Sequence, residues 1–336
     1  MRSKILTLIT VFLTFVLNGQ ELRQLSQFIE NTSASVLHYE AGSLDIAVPM
    51  NTYKQLNYRF FFRKDSSDIQ AIGPYRITDY GILLEQACLD AVEVEMYDTA
   101  FYYVNELIMQ HPEYSKAYLY RADILRANNR NTEAKQSVLK AVSVNPIDYE
   151  AYHGLSVIYS EEGKLDSAIR AASIALVLNR NSPEIEQTLA GLYSKAGLSY
   201  TPWVFTPQTA AKKEDDTVYV NYADAWMGWA FCDAYWSFDP DPLAGLEEGR
   251  DYNYLFRTKE CIFSLLATIR LNKEQLAHDI QLAGIWKAAE FDNINNFLVF
   301  DIMLPEDPGI AFKLNTGRIE SLVEYIKITR TNLLSY

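Results

Sequence analysis

Residues 115–148 read SKAYLYRADILRANNRNTEAKQSVLKAVSVNPID. Tyr118, Ala122 and Leu125 recur at helical spacing ahead of Asn129, and Ala134, Val138 and Ala141 do so after it, with Pro146 closing the stretch. Two amphipathic helices joined by a short turn are expected, because apolar residues three and four apart share one helix face and proline cannot continue a helix. Asn129 suits the turn, since asparagine tolerates the left-handed backbone that often ends a helix. The pattern recurs on both sides at a 34-residue spacing: Ala100, Ala134 and Ala168 fall in step, as do Pro112 with Pro146, Tyr118 with Tyr152, and Tyr159 with Tyr193. A fixed period of this length marks stacked helical hairpins, each of which buries its apolar face only against a neighbour.

Working outward, residues 81–114 form a first repeat with an inner helix over 81–94 and an outer helix over 97–110. Leu84, Ala87, Cys88 and Ala91 stripe the first, and Ala100, Val104 and Leu107 the second. Helices packed as a hairpin approach to about 8–10 Å, and the closest crossings need small residues, hence cysteine, alanine or serine at this phase. The third repeat, from Tyr149, carries Tyr152, Leu155, Ser156, Tyr159, Gly163, Ala168, Ala172 and Ala175, but has Arg180 where proline is expected. Pro183 opens a fourth inner helix over 183–195. Pro202 and Pro207 forbid its outer partner, so the array is three hairpins plus a capping helix, 81–200.

Residues 81–197 resemble tetratricopeptide repeats, about a third of the chain. Small residues recur at the eighth and twentieth places, aromatics at the fourth or eleventh, and proline at the thirty-second. Leu84, Ala91 and Leu125 in place of aromatics, Glu95 at the first turn, Leu107 for a small residue and Arg180 for proline depart from the family pattern. The resemblance implies a concave face built from the second, fifth, ninth and twelfth places of the inner helices. These are Ile82, Glu85, Leu89 and Val92, then Lys116, Leu119, Asp123 and Arg126, then Glu150, His153, Val157 and Ser160. It implies a protein or peptide partner held along that face, in extended or helical form. A competing occupant is the chain's own N-terminal segment or C-terminal domain. The basic clamp with which part of the family grips C-terminal carboxylates is missing: Glu85, Leu89, Glu150 and Gly154 occupy its places, and the two carboxylates would repel such a tail.

The flanks add an address and no recognisable chemistry. Arg2 and Lys4 precede the apolar run ILTLITVFLTFVL over 5–17 and then Asn18, Gly19 and Gln20, the order of a secretory signal peptide cut before Gln20. The run is shorter than the roughly 18 residues of a membrane span, so residues 1–19 are expected to leave, with no stable membrane insertion afterwards, and the protein to be periplasmic or secreted. The first cysteine is Cys88, so lipid attachment near the N-terminus is not expected. Cys88, Cys232 and Cys261 are too few for a disulfide framework; three buried thiols, or one Cys232–Cys261 bridge, are the readings open. The formal charge of −13, more negative once Arg2 and Lys4 leave, disfavours nucleic acid as a partner.

Residues 20–80 read as a mixed, partly extended segment: a short helix over 21–30, then the aromatic-rich QLNYRFFFRKD over 55–65 as a strand entering a turn. Residues 201–217 read as a linker and 218–336 as a helical domain of no recognised family. In that domain Tyr222, Trp226, Trp229 and Trp236 are expected on one helix face, either as core or as a sugar-stacking platform. The loop FDPDPLAGLEEGRDY, 238–252, gathers Asp239, Asp241, Glu247, Glu248 and Asp251; Arg250 stands where a calcium loop would close with glutamate. His278 lies between Glu274 and Asp279, and none of His38, His111, His153 or His278 has metal-ligand spacing. The expectation is an all-α protein: a short repeat solenoid, an appended helical domain and a small mixed N-terminal segment. Its expected role is that of an exported, non-catalytic scaffold without cofactor or metal. The alternatives are a hydrolase with an acidic site at Asp239, Asp241, Glu248 and His278, or a carbohydrate-binding module using the tryptophans.

Overall fold

The structure is a computed structural model that describes residues 16–17, 20–23, 25–44, 46–53, 61–65, 70–243, 246, 252–271 and 273–332. Strands β1 (Val16–Leu17) and β2 (Gln20–Glu21) precede α1 (Leu25–Ala34), β3 (His38–Ser43), β4 (Phe61–Asp65) and β5 (Gln70–Pro74). Next come α2 (Asp79–Glu93), α3 (Tyr97–Gln110), α4 (Ser115–Ala127), α5 (Asn131–Val144), α6 (Tyr149–Glu161), α7 (Leu165–Leu178) and α8 (Pro183–Lys195). The chain continues through β6 (Thr209–Glu214), β7 (Thr217–Tyr222), α9 (Met227–Phe238), α10 (Tyr254–Leu271) and α11 (Ile280–Glu290). It closes with α12 (Ile294–Phe297), α13 (Leu304–Glu306) and α14 (Thr316–Arg330). Two compact units result: Thr52–Pro202 with Phe291–Ser335, and Met1–Asn51 with Trp203–Glu290. Residues 218–336 are thus divided between them. The signal-peptide expectation falls, apart from Val16 and Leu17, outside the described residues; among these no helix is long and apolar enough to cross a membrane.

In the unit that holds the array, α2–α3, α4–α5 and α6–α7 are antiparallel hairpins and α8 caps them. Cys88, Ala100, Ala122, Ala134, Ser156 and Ala168 are all fully buried at the crossings, because any longer side chain there would force the helix pair apart. Each inner helix is followed by a residue in the left-handed region: Glu95 (φ 57°), Asn129 (φ 59°), Gly163 (φ 73°) and Gly197 (φ 76°). These four fall at the same 34-residue step as the alanines, so Glu95, a departure from the family pattern, occupies a turn of the same geometry. Only glycine adopts that conformation without the clash between Cβ and backbone. Polar contacts join successive hairpins. Asp148 caps α6, accepting from the Glu150 and Ala151 amides at 3.1 Å, and also accepts from Ser115 Oγ at 2.5 Å at the start of α4.

Helix α7, LDSAIRAASIALVL, exposes Asp166, Ser167 and Arg170 in its first two turns, but its second half, Ala171–Leu178, is buried without a break. A stretch buried on every side must be covered from more than one; α6 covers one and α14 packs on another. Arg180, at the irregular place in the repeat, explains how the C-terminal segment is held. The π-helical turn Leu298–Met303 carries Phe300 and Asp301. Asp301 accepts from Arg330 Nη2 and Tyr325 Oη, and Arg180 Nη2 lies 3.5 Å from it; all four groups are buried. Both guanidiniums also lie over the Phe300 ring, at 4.5 and 5.4 Å. Desolvation and the Asp301 charge together push the Tyr325 phenol well above its ordinary value. The backbone finishes the attachment where Thr201 N donates to Arg330 O at 2.8 Å and Asn332 N to Ser199 O at 2.9 Å. The β4–β5 hairpin joins the same unit through Arg63 Nη1, which donates to Leu314 O at 2.8 Å.

In the other unit β7 is the centre of a three-stranded sheet, parallel to β3 and antiparallel to β6. The run TVYVNY alternates: Val218 and Val220 are buried against Leu37, Ala230 and Ala234. That is the period-two pattern of a half-buried strand. The stretch read as a linker, 201–217, therefore contains β6 and the β6–β7 turn, with Asp215 left-handed at φ 50°. Tyr222 ends β7 and does not share a helix face with the tryptophans, because the helix begins only after Trp226. The expected helix over 21–30 lies at Leu25–Ala34.

Just ahead of α1, the buried Arg23 is anchored on Glu260 of α10. Its amide donates to Glu260 Oε1 at 2.8 Å and its Nη2 to Oε2 at 2.9 Å, with Phe28, Tyr235 and Trp236 rings around the guanidinium.

Asp301→Ala leaves two buried guanidiniums without their shared carboxylate and is expected to destabilise the array-bearing unit by about 3–5 kcal/mol. Urea unfolding followed by far-UV circular dichroism measures it.

Candidate functional site

The inner helices α2, α4, α6 and α8 present one continuous face, and a groove of about 890 Å³ runs along it. Leu89 comes from α2; Lys116, Leu119, Tyr120, Asp123 and Arg126 come from α4; and Tyr149, Glu150, His153 and Gly154 from α6. Asn179, Ser182, Glu184 and Ile185 close it at the capping helix. Seven of the sequence-expected residues thus meet in one place: Leu89, Lys116, Leu119, Asp123, Arg126, Glu150 and His153. Ile82, Glu85 and Val157 are not part of the lining. Ile82 is exposed, Val157 half-buried, and Glu85 is engaged by its neighbours. It accepts from Tyr120 Oη at 2.7 Å and Tyr114 Oη at 3.2 Å, and Lys116 Nζ lies 3.2 Å away. Burial and the nearby Glu85 carboxylate both push the Tyr114 and Tyr120 phenols upward, so they remain hydrogen-bond donors to it.

The capping-helix contribution escaped the sequence reading, although the period contains it: Ile82, Lys116 and Glu150 continue by the same step to Glu184. Tyr120 escaped because no concave place of the family pattern includes it.

Lys116 and Arg126 of the groove are paired with carboxylates outside its lining. Arg126 Nη2 bonds Glu161 Oε1 at 2.6 Å and Lys116 faces Glu85, while Glu150 and Glu184 add carboxylates. Leu89 is 39% exposed, the apolar contact at one end. Asp123 is accessible to water, yet the surrounding helices desolvate its carboxyl and raise it, opposed by Arg126. His153 Nε2 shares a hydrogen bond with Thr188 Oγ1 at 3.0 Å, linking α6 to α8.

The described residues of the two alternative sites have other partners. Asp239 accepts from Tyr39 Oη at 3.2 Å and from the Asp241 amide at 3.0 Å, the geometry of a turn. Glu247, Glu248 and Asp251 lie outside the described residues. Among the described residues no group of three or more His, Cys, Asp or Glu side chains could hold a metal ion. Trp226 and Trp229 are buried, packed against Phe205, and the Trp226 and Trp236 indoles donate to Asp279 and Glu260. They offer no flat exposed platform for a sugar ring.

Residues 81–197 fold as tetratricopeptide-type hairpins. No protein-family model matches the chain, and no curated protein does. Solved structures do. The tetratricopeptide domain of Arabidopsis OM64 is 16% identical, over 34% of this chain and 95% of that one, with a TM-score of 0.32. The first tetratricopeptide domain of Spaghetti (RPAP3), bound to the HSP90 peptide SRMEEVD, is 18% identical over 37% and 99%, TM-score 0.34. The Yersinia enterocolitica type III secretion chaperone SycD, in complex with a peptide of the translocator YopD, is 16% identical over 36% and 97%, TM-score 0.33. Likeness at this level carries no functional argument; the hairpin assignment stands on the geometry of 81–197.

Burial lowers the His153 pKa, with Glu184 pulling it back up. A histidine depressed in the folded state binds its proton more readily when unfolded, so stability falls as pH drops below the unfolded value of about 6.5 and is level above it. Chemical denaturation between pH 5 and pH 8 is expected to show that slope, and His153→Gln to flatten it.

Proposed function

We propose that this chain is an exported, non-catalytic scaffold that holds a segment of another protein in the concave groove of its repeat array. The groove itself carries the reading. It crosses every inner helix from Leu89 to Ile185, has an apolar floor at Leu119 and Ile158, and is open enough to leave Leu89 and Asp123 accessible. Sites for small ligands enclose most of the ligand surface, whereas an open channel along stacked helices matches an extended or helical peptide. With Lys116 and Arg126 engaged by Glu85 and Glu161, and Glu150 and Glu184 facing the channel, an acidic C-terminal tail meets repulsion. An apolar segment with neutral or basic neighbours fits better.

Peptides selected from a displayed library against the full chain provide the test. The triple variant Leu89→Asp, Leu119→Asp, His153→Asp is expected to weaken their binding at least 100-fold in fluorescence anisotropy, with the far-UV circular dichroism spectrum unchanged. Equal affinity for the triple variant would move the site off the groove.

Export rests on the basic, apolar and small-residue order of residues 1–19. Sequencing the N-terminus of protein recovered from the export compartment is expected to read from Gln20; retention of Met1 in all of the recovered protein would overturn that part of the reading.

A further inference from the structure

Helices α9 and α10 cross more closely than any side chain allows at one point. A Cβ added to Gly228 would run into the Ser264 carbonyl, and the Gly228 amide donates to Thr268 Oγ1 at 3.0 Å. The helices are antiparallel, so contacts further along α9 fall earlier along α10. Asp233 meets Arg257 at 2.5 Å, Arg257 also donates to Ser237 Oγ at 2.7 Å, and Trp236 donates to Glu260 at 2.9 Å. One turn beyond Gly228, and between these fixed pairs, the register sets Cys232 opposite Cys261. Both are buried, and their Sγ atoms are 2.7 Å apart. That is inside the contact distance of two unbonded sulfurs. The backbone approach that glycine permits, together with three flanking polar pairs, accounts for the closeness without reference to the sulfurs themselves.

We infer that Cys232 and Cys261 form an intrachain disulfide that locks α9 to α10. Forming it removes two electrons and two protons from the pair, and the acceptor is an external disulfide, that of a thiol oxidoreductase or of oxidised glutathione. One cysteine thiolate attacks a sulfur of that disulfide, giving a mixed disulfide and releasing one thiol. The second thiolate then attacks this chain's sulfur in the mixed disulfide, closing the bridge and releasing the other thiol. Burial raises both thiols in the closed crossing, and a protonated thiol is a poor nucleophile. The exchange therefore belongs to folding, before the helices close, and the finished bond is shielded from reductant. Its neighbour Glu260 is the anchor of Arg23, so the bridge also steadies the seat of the N-terminal segment. Cys88 lies in the core of the α2–α3 hairpin, where burial pushes its thiol to about 11, and it takes no part.

The full chain, refolded from urea in a mixture of reduced and oxidised glutathione, tests this directly. The refolded protein is denatured without reductant, labelled with N-ethylmaleimide and weighed. One label per chain is expected, on Cys88, and three after reduction; proteolysis without reduction should yield a fragment joining the Cys232 and Cys261 peptides. Cys88→Ser should take no label and Cys232→Ser two. Three labels on the unreduced wild-type chain, a bridge that includes Cys88, or a bridge between two chains would overturn the assignment.

Discussion

How closely the paired helices cross sets the terms for the repeat array. Cys88 and Ala100, Ala122 and Ala134, Ser156 and Ala168 are buried at the crossings of three successive hairpins, and a leucine at any of them would separate the pair by more than its neighbours could follow. The crossings recur at one step along the chain, and so do the left-handed residues that end the inner helices. Local backbone geometry and tertiary packing therefore keep the same period. Because of that agreement the inner helices line up, and a groove exists where they do.

An array of this kind has to be closed at its ends, and this one is closed in an unusual way for its pattern. Proline normally ends the outer helix, but here Arg180 stands in that place and shares Asp301 with Arg330 beneath the Phe300 ring. Two cations around one carboxylate are costly to bury. The arrangement holds because the aromatic face and the Tyr325 hydroxyl complete the environment, and because the second half of α7, buried on every side, demands a second cover. The C-terminal helix supplies that cover.

Much of this is legible without coordinates. The period of Ala100, Ala134 and Ala168 locates every helix of the array to within a few residues, and the resemblance to tetratricopeptide repeats implies one face for Leu89, Lys116, Leu119, Asp123, Arg126, Glu150 and His153. Counting fails where the pattern has no period. The strand TVYVNY alternates over only six residues, beside a Thr- and Lys-rich stretch that looks like a linker, and its partner β3 lies far away in sequence. Glu85 illustrates a different failure. Its position in the repeat is right for the groove, but Tyr114, Tyr120 and Lys116 engage it first, and no spacing rule encodes such competition.

The sequence by itself determined the repeat, its length and the turn residues, because a helix repeats its geometry every few residues and needs no distant contact to do so; which face is concave came from the resemblance to tetratricopeptide repeats. Only the tertiary structure decided what Arg180 is for, where residues 291–332 go, and that Cys232 and Cys261 meet. Those depend on which distant segments become neighbours. Periodicity carries no information about that; the fit of Gly228 against the Ser264 carbonyl, or of α14 against the bare face of α7, does.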